Sequence, residues 1–210
     1  MKQNNPLSLY KKYHIDREDE RLGLFTILAD KFKIKNALYP GSFVHITPSF
    51  VIPKVVYVDN YKKTKKLFSD PTLIEFISKK KLYKEEAVIA FHFKDYQKDI
   101  EEPKESFDLL ISQYAGFISL YCKKYLKVGG LLVANNSHGD ASMAFLDKDY
   151  RFTGVFNKRK GNKYTFSDKN LDTYFIPKKP REITREYLLK TQKGIGYTKS
   201  PASYLFTKIS

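Results

Sequence analysis

Short apolar segments alternate with amphipathic segments along the first two thirds of the chain. The apolar segments are rich in β-branched and aromatic residues, which is typical of buried strands, and they cover residues 36–39, 54–59, 87–93, 107–112 and 131–135. The amphipathic segments repeat apolar residues at helical spacing, and they cover about 62–68, 71–80 and 116–126. Strands that alternate with helices predict a mostly parallel sheet with helices on both faces.

The last third of the chain has a different pattern. Its apolar and aromatic segments are short and separated by polar turns, and they cover residues 152–156, 164–166, 174–176 and 204–209. We expect them to extend the sheet antiparallel at one edge, with a hairpin around 158–162 and a helix over 185–193. The predicted fold class is therefore α/β, a Rossmann-like, doubly wound, mostly parallel sheet with antiparallel C-terminal strands.

The region before the first strand has the pattern of an amphipathic helix. Leu22, Phe25, Leu28 and Phe32 recur at helical spacing and predict a helix over about 19–33. Acidic residues at its start and lysines at its end suit the helix dipole.

The order of the strands locates a candidate binding site. In an open α/β sheet, ligands bind beyond the carboxyl ends of the strands, at the point where the strand order reverses. The loops after the first four strands should therefore hold the cofactor-binding residues. Those residues are Tyr39, Pro40, Gly41, Ser42, Asp59, Asn60, Asp95, Ser112 and Gln113.

Gly41 and Asp59 carry most of this expectation. Gly41 directly follows the first strand, where glycine allows a tight turn and close approach of a ligand; taken alone, an ordinary Pro-Gly turn is the simpler alternative. Asp59 ends the second strand, where an acid can accept hydrogen bonds from both ribose hydroxyls of a nucleotide. The alternative role of Asp59 is to cap the helix that follows.

We expect one domain, because no internal repeat or Gly/Ser-rich linker divides the 210 residues. Its parts are N-terminal helices in 1–35, a cofactor-binding core in 36–146, and antiparallel edge strands with a hairpin in 147–210.

The order and spacing of these segments resemble the class I S-adenosylmethionine-dependent methyltransferases over about residues 20–140. Residues 126–133, Leu-Lys-Val-Gly-Gly-Leu-Leu-Val, are similar to that superfamily's Leu-Lys-Pro-Gly-Gly turn and fifth strand. Residues 107–112 are similar to its fourth strand, and residues 56–59 resemble its second strand with the ribose-binding acid. The resemblance implies that S-adenosylmethionine is the cofactor and a binding partner.

The same resemblance assigns individual residues. It implies that Asp59 binds the ribose and that Asp95 contacts the adenine amino group. The first loop departs from the family, because it contains the single glycine Gly41 where the family has several, and no acid. The chain is thus similar to a diverged member of the superfamily with a glycine-poor first loop.

Three residues are candidates for a catalytic base. His45 lies in the loop after Gly41 and titrates near neutral pH when unperturbed, but a loop histidine bonded to the backbone is the alternative. His138 and Asp140 follow the fifth strand, at the expected rim of the acceptor site. Asp140 can instead cap a helix near 141–146.

The charge of the chain suggests a further class of partner. The net charge is +15, from 38 basic and 23 acidic residues, which suits RNA or DNA binding through a lysine-rich surface. A generally lysine-rich composition is the alternative, because most of the basic residues are lysine and phosphate recognition favours arginine.

Other features exclude several classes. The single cysteine, Cys122, rules out an internal disulfide and a cysteine-rich metal site, so we expect no metal and a reducing, cytoplasmic location. No apolar run is long enough for a membrane span, and residues 1–6 lack the apolar core of a signal peptide.

The predicted function is that of an S-adenosylmethionine-binding, methyltransferase-like protein whose acceptor the sequence leaves open. The first alternative is a non-catalytic nucleic-acid-binding protein on the same scaffold. The second is a nicotinamide-dependent oxidoreductase, against which the missing Gly-x-Gly-x-x-Gly turn argues.

Overall fold

The computed structural model describes residues 7–18 and 20–210. Its strands are β1 (Asn36–Pro40), β2 (Lys54–Val58), β3 (Val88–His92), β4 (Phe107–Ser112), β5 (Leu126–Ala134), β6 (Tyr150–Lys158), β7 (Tyr164–Ser167) and β8 (Ser203–Lys208). Its α-helices are α1 (Leu7–Tyr10), α2 (Leu22–Phe32), α3 (Lys62–Phe68), α4 (Thr72–Lys80), α5 (Ile118–Tyr121), α6 (Asp140–Leu146) and α7 (Arg185–Thr191). The predicted start of α2 at Asp19 lies outside the described residues.

All eight strands form one sheet in the order β3-β2-β1-β4-β5-β8-β6-β7. The strands β1 to β5 run parallel to one another. β8 pairs antiparallel with β5 on one side and with β6 on the other, and β6 and β7 form an antiparallel hairpin. This topology confirms the predicted fold class, and it places the reversal of strand order between β1 and β4.

Successive residues of the central strands supply the cores on opposite faces of the sheet. Leu38 of β1 packs with Leu110 of β4 and with residues of α5 and α6 on one face. Its neighbours Ala37 and Tyr39 pack on the other face, where α2 contributes its apolar stripe. Helices therefore cover both faces, as the alternating pattern of strands and helices predicted.

A third apolar cluster lies beside the end of β1. Tyr10 of α1 packs there with Val44, Ile46 and Phe50 of the loop after β1, and with Leu67 of α3. The Tyr10 hydroxyl also lies 3.0 Å from the Thr47 hydroxyl. The N-terminal helix thus fixes the loop after β1.

The structure corrects two helix and turn predictions. The helix predicted over 116–126 contains only α5, because the chain continues as a 3-10 turn (Lys123–Tyr125) directly into β5. The predicted turn at 126–130 instead belongs to β5, whose register shifts opposite Phe107–Leu109 while Gly129 adopts a φ of +82°. Gly129 and Gly130, which the sequence predicted to form a turn, therefore lie within an irregular part of β5.

The strand predicted over 174–176 is also wrong. Phe175 has a φ of +58°, which an extended strand does not allow, and its ring is buried. That ring stacks on Phe145 with their centroids 4.1 Å apart. Burial of the aromatic side chain therefore outweighs the local preference for a strand.

Two further properties concern the described residues as a whole. None of their helices combines the length and the apolar character that a membrane crossing needs. They also contain no group of His, Cys, Asp or Glu side chains that could hold a metal ion.

Candidate functional site

The loops after β1 and β4 meet at the reversal of strand order. Gly41 follows β1 with a φ of +62°, and its N–H donates to the Val58 carbonyl over 2.8 Å. A Cβ atom on Gly41 would lie 2.2 Å from the Cβ of Ala115, in the loop after β4. Only glycine fits this contact, so the loops touch where the sequence predicted a ligand crevice.

A third loop closes over the same point. Tyr96, after β3, donates a hydrogen bond from its hydroxyl to the Ala115 carbonyl. The next residue, Gly116, has a φ of +90°, and a Cβ there would lie 2.7 Å from the Tyr96 hydroxyl oxygen. Ala115 and Tyr96 therefore occupy the space between the ends of β1 and β4.

Asp59 connects the ends of β1 and β2. One carboxylate oxygen accepts the N–H of Phe43 and the other accepts the N–H of Tyr61, each over 2.8 Å. A carboxylate oxygen can accept two hydrogen bonds, so the half-buried Asp59 retains capacity for a ligand hydroxyl. Asp59 thus holds the loop after β1 and binds the backbone N–H of Tyr61 just before α3, but it does not cap that helix.

Aromatic rings flank the Asp59 carboxylate. The rings of Phe43 and Tyr61, whose N–H groups Asp59 binds, lie 5.6 Å apart. Tyr13 packs edge-on against Phe43 at 5.2 Å, and the Arg17 guanidinium lies 4.9 Å from the Tyr13 ring. The Tyr61 ring is 44% exposed, so this aromatic edge is open to a planar ligand.

Of the other predicted cofactor residues, Pro40, Ser42 and Asn60 lie next to Gly41 or Asp59, whereas Asp95 lies in a separate turn. Pro40 and Ser42 are buried beside Gly41, whereas Asn60 is exposed and follows Asp59. Asp95 is half-buried and accepts the Gln97 N–H over 2.9 Å. The structure therefore brings the residues after β1 and β2 together, but it leaves Asp95 in a turn of its own.

His45 is held inside the protein by hydrogen bonds at both ring nitrogens. Its Nε2 lies 2.9 Å from the Glu20 carbonyl oxygen, which can only accept, so Nε2 carries the proton. Its Nδ1 then accepts from the Tyr39 hydroxyl over 2.9 Å. Burial lowers the pKa of His45 well below its ordinary value, which keeps the ring neutral. This geometry matches the alternative of a structurally bonded histidine.

Asp140 binds groups from two other elements. Its carboxylate accepts hydrogen bonds from the Ser112 hydroxyl at the end of β4, and from the Ser119 hydroxyl and N–H in α5. Burial raises the pKa of Asp140 to about 6, although these hydrogen bonds act in the opposite direction. The side chain thus links β4, α5 and α6, and it caps α5 rather than its own helix.

Sequence patterns gave no signal for Arg21, which the structure places beside the predicted residue Gln113. The Arg21 guanidinium donates to the Gln113 side-chain carbonyl over 2.8 Å and lies 4.6 Å from the Tyr114 ring. Arg21 has a φ of +56° and Tyr114 a φ of +61°, which is rare outside glycine. Arg21 is 5% exposed, whereas Tyr114 is 60% exposed.

Tyr114 lines a cleft of about 380 Å³ at the carboxyl ends of β4 and β5. The other lining residues are Asn135, Asn136, Ser137, Gly194, Ile195, Gly196, Ser200, Pro201, Ala202 and Tyr204. His138, whose side chain is exposed, follows the lining residue Ser137 in the chain but does not itself line the cleft. A second cleft of about 250 Å³ shares the segment 194–196 as a wall.

The basic β6–β7 hairpin packs against the start of α2. The Lys158 ammonium donates to the Glu18 carbonyl over 3.0 Å, and the Asn162 side chain accepts the Arg21 N–H over 3.2 Å. A Cβ on Gly23 would lie 2.3 Å from the Asn162 carbonyl oxygen, so α2 and the hairpin are in close contact. This hairpin therefore helps to position Arg21.

No protein-family model and no curated protein matches the chain. Among solved structures, an O-methyltransferase from Bacillus cereus in complex with S-adenosylhomocysteine is 10% identical, covers 79% of this chain and 90% of that chain, and has a TM-score of 0.53. The O-methyltransferase TomG from Streptomyces achromogenes, in complex with S-adenosylmethionine, is 13% identical over 79% and 88% of the two chains, with a TM-score of 0.52.

The YcgJ protein from Bacillus subtilis is 19% identical with a TM-score of 0.40, and this chain spans 54% of its length. The two O-methyltransferases show that the chain has the methyltransferase fold. This confirms the fold that the sequence resemblance implied.

Proposed function

We propose that the protein is a methyltransferase that binds S-adenosylmethionine at the carboxyl ends of β1 and β2. The observation that supports this most strongly is the position of Asp59, which lies at the end of β2 and holds the loop after β1 through the Phe43 N–H. In nucleotide-binding sheets an acid at this place accepts hydrogen bonds from the ribose hydroxyls. The two similar O-methyltransferases, which contain S-adenosylmethionine or its product, support the same cofactor.

The nucleoside half of the cofactor fits the described residues. Asp59 would hold the ribose, because each of its oxygens makes one hydrogen bond to the backbone and can accept another. Phe43 and Tyr61 present aromatic rings beside it. Asp95 would contact the adenine amino group, and Asn60 and Ser42 complete the surroundings.

The methionine half needs the space between β1 and β4. That space holds Ala115 and Tyr96, so entry of the cofactor requires the hydrogen bond between them to open. Gln113 lies in the same loop and would move with it, while Ser112 ends β4 directly before the loop and would contact the ligand. When bound, S-adenosylmethionine supplies an electrophilic methyl group.

The chain's own contribution would be to position an acceptor. The cleft beside Tyr114 adjoins the loop after β4 and is the proposed acceptor site. Of the three candidate bases, His138 alone has an exposed side chain and directly follows the lining residue Ser137, and it is proposed to take the acceptor proton. His45 and Asp140 are assigned positioning roles, because both are buried and bonded on all sides described above.

Asp59→Ala should weaken S-adenosylmethionine binding about 100-fold, because hydrogen bonds from the two ribose hydroxyls to a charged group are lost. Isothermal titration calorimetry with S-adenosylmethionine and S-adenosylhomocysteine measures this. Asp70→Ala is the matched control, since Asp70 binds the N–H two residues further on, as Asp59 does, but at the start of α4. Equal affinities of all three proteins, or no binding to the wild type, would reject the proposal.

Tyr96→Phe should raise the affinity for S-adenosylhomocysteine about 5-fold. The variant loses the hydrogen bond that holds the loop after β4 closed, so opening costs less free energy. Tyr125→Phe, which removes hydrogen bonds to Asp99 and Ile100 without touching Ala115, should leave the affinity unchanged. A weaker ligand affinity of Tyr96→Phe would show that the closed loop is part of the binding conformation.

A further inference from the structure

The two clefts that share the segment 194–196 have an unusual distribution of charge. The smaller one is lined by Lys178, Lys179 and Arg181, and none of the described acidic residues lines either of them. By contrast, two clefts near the amino ends of the parallel strands include Asp108 and Asp30, respectively. In a chain that contains 23 acidic residues, this absence leaves a cavity that favours an anion.

The cations of this wall are available to a ligand. Within the described residues, neither Lys178 nor Lys179 forms an ion pair with a carboxylate, and both ammonium groups can donate to a phosphate. Arg181 donates one hydrogen bond to the Tyr187 hydroxyl over 2.6 Å and keeps its other N–H groups.

Tyr114 provides a flat surface on the other side of the shared wall. Its ring is 60% exposed, and the Arg21 guanidinium lies 4.6 Å from the ring centroid. Arg21 is itself fixed by its hydrogen bond to Gln113, so a buried and rigid side chain supports the Tyr114 ring. The left-handed backbone of Tyr114 indicates that neighbouring structure holds this ring at the mouth of the cleft.

Hydrogen bonds fix the wall that the two clefts share. The Gly194 N–H donates to the Ser137 carbonyl over 3.1 Å, and Asn136 donates from its side chain to the Ile195 carbonyl over 3.0 Å. A Cβ on Gly194 would lie 1.7 Å from the Asn136 carbonyl oxygen, so this wall is tightly packed. The cleft beside Tyr114 has a volume of about 380 Å³, which lies in the range of small-molecule sites.

We propose that these two adjacent clefts together bind a nucleobase that carries a phosphate. The base stacks on Tyr114, which Arg21 supports from behind, and the phosphate binds Lys178, Lys179 and Arg181 across the wall 194–196. The site takes a free nucleotide or one unit of a single strand of nucleic acid. This inference rests on the proposed function in one respect, namely that the bound base is the methyl acceptor.

Fluorescence anisotropy with labelled single-stranded oligonucleotides of U or A, and calorimetry with UMP and AMP, test the proposal. Tyr114→Ala should weaken binding about 10-fold or more, because stacking of a base on the ring is lost, while Tyr114→Phe should bind like the wild type. The double variant Lys178→Ala/Lys179→Ala should also weaken binding and reduce its salt dependence. Its control, Lys65→Ala/Lys66→Ala, removes two charges from α3 and should have a smaller effect.

The outcomes separate the two sources of the ligand and the two proposals. Tighter, more salt-dependent binding of the oligonucleotides than of UMP or AMP supports a strand, and equal binding supports a nucleotide. Absence of binding by every probe, or binding unaffected by both Tyr114→Ala and the Lys178/Lys179 variant, overturns the inference even if S-adenosylmethionine binds. Binding at Tyr114 without any binding of S-adenosylmethionine supports the cleft and rejects the proposed function instead.

Discussion

Gly41→Ala is expected to lower the free energy of unfolding by about 2 to 5 kcal/mol. A left-handed backbone costs a residue with a Cβ about 1–2 kcal/mol, and overpacking of a close contact adds about 1–3 kcal/mol. Both penalties apply here, because Gly41 has a φ of +62° and the new Cβ would lie 2.2 Å from the Cβ of Ala115. Urea unfolding followed by circular dichroism measures the difference.

Gly161→Ala separates the two penalties. Gly161, at the tip of the β6–β7 hairpin, has a φ of +66° and nothing within 4 Å of its added Cβ, so its replacement should cost only the smaller backbone penalty. Adding Ala115→Gly to Gly41→Ala should recover the packing part of the loss. If Gly41→Ala is no more destabilising than Gly161→Ala, the loops after β1 and β4 are not in contact.

Asp140→Asn should gain about 3 kcal/mol in free energy of unfolding, relative to the wild type, as pH rises from about 4 to 6. Burial raises the pKa of Asp140 to about 6 in the folded protein, so the folded state binds its proton more tightly than the unfolded chain does. The wild type therefore loses stability as pH rises from about 4 to 6, by about 1.4 kcal/mol per unit of pKa shift. The Asn variant lacks this loss, and its stability relative to the wild type should rise across that interval.

Urea unfolding of both proteins at several pH values checks this expectation. Asp70→Asn provides a contrast of opposite sign, because hydrogen bonds from Thr72 lower the pKa of Asp70 in the folded state. Its stabilising contribution is present at neutral pH and is lost in acid, so that variant should approach the wild type as pH falls. If the stability of Asp140→Asn relative to the wild type is the same at every pH, Asp140 is not held as a buried carboxylate.

The parallel half of the fold follows from local patterns. Runs of β-branched and aromatic residues define β2 and β4, and the helical repeat defines α3 with the observed bounds. The buried side chains of these elements recur at short, regular intervals, and such a repeat is visible in the sequence itself. The place of β8 between β5 and β6 has no such signal, because it depends on pairing between distant segments.

The candidate site was predictable only in part for the same reason. Gly41 and Asp59 stand at strand ends, where the topology alone gives them a role. Tyr96 reaches Ala115 from another loop, and Arg21 bonds Gln113 across 92 positions of sequence. Contacts between loops of this kind depend on the folded arrangement, which no local pattern encodes.

The loops after β1 and β4 are in contact at the proposed cofactor site. In the proposed function Asp59 binds the ribose, and the space that the rest of the cofactor would occupy is the one where Ala115 and Tyr96 lie. Binding and opening of the loop after β4 are therefore coupled in the proposed function. A ligand that binds only the open form would shift the population toward it.

A crystal structure of the protein grown with saturating S-adenosylhomocysteine tests the central claim most directly. We expect both ribose hydroxyls within hydrogen-bond distance of the Asp59 carboxylate, and the Tyr96 hydroxyl released from the Ala115 carbonyl. A structure in which the Tyr96–Ala115 hydrogen bond persists and Asp59 contacts only the Phe43 and Tyr61 N–H groups would contradict it.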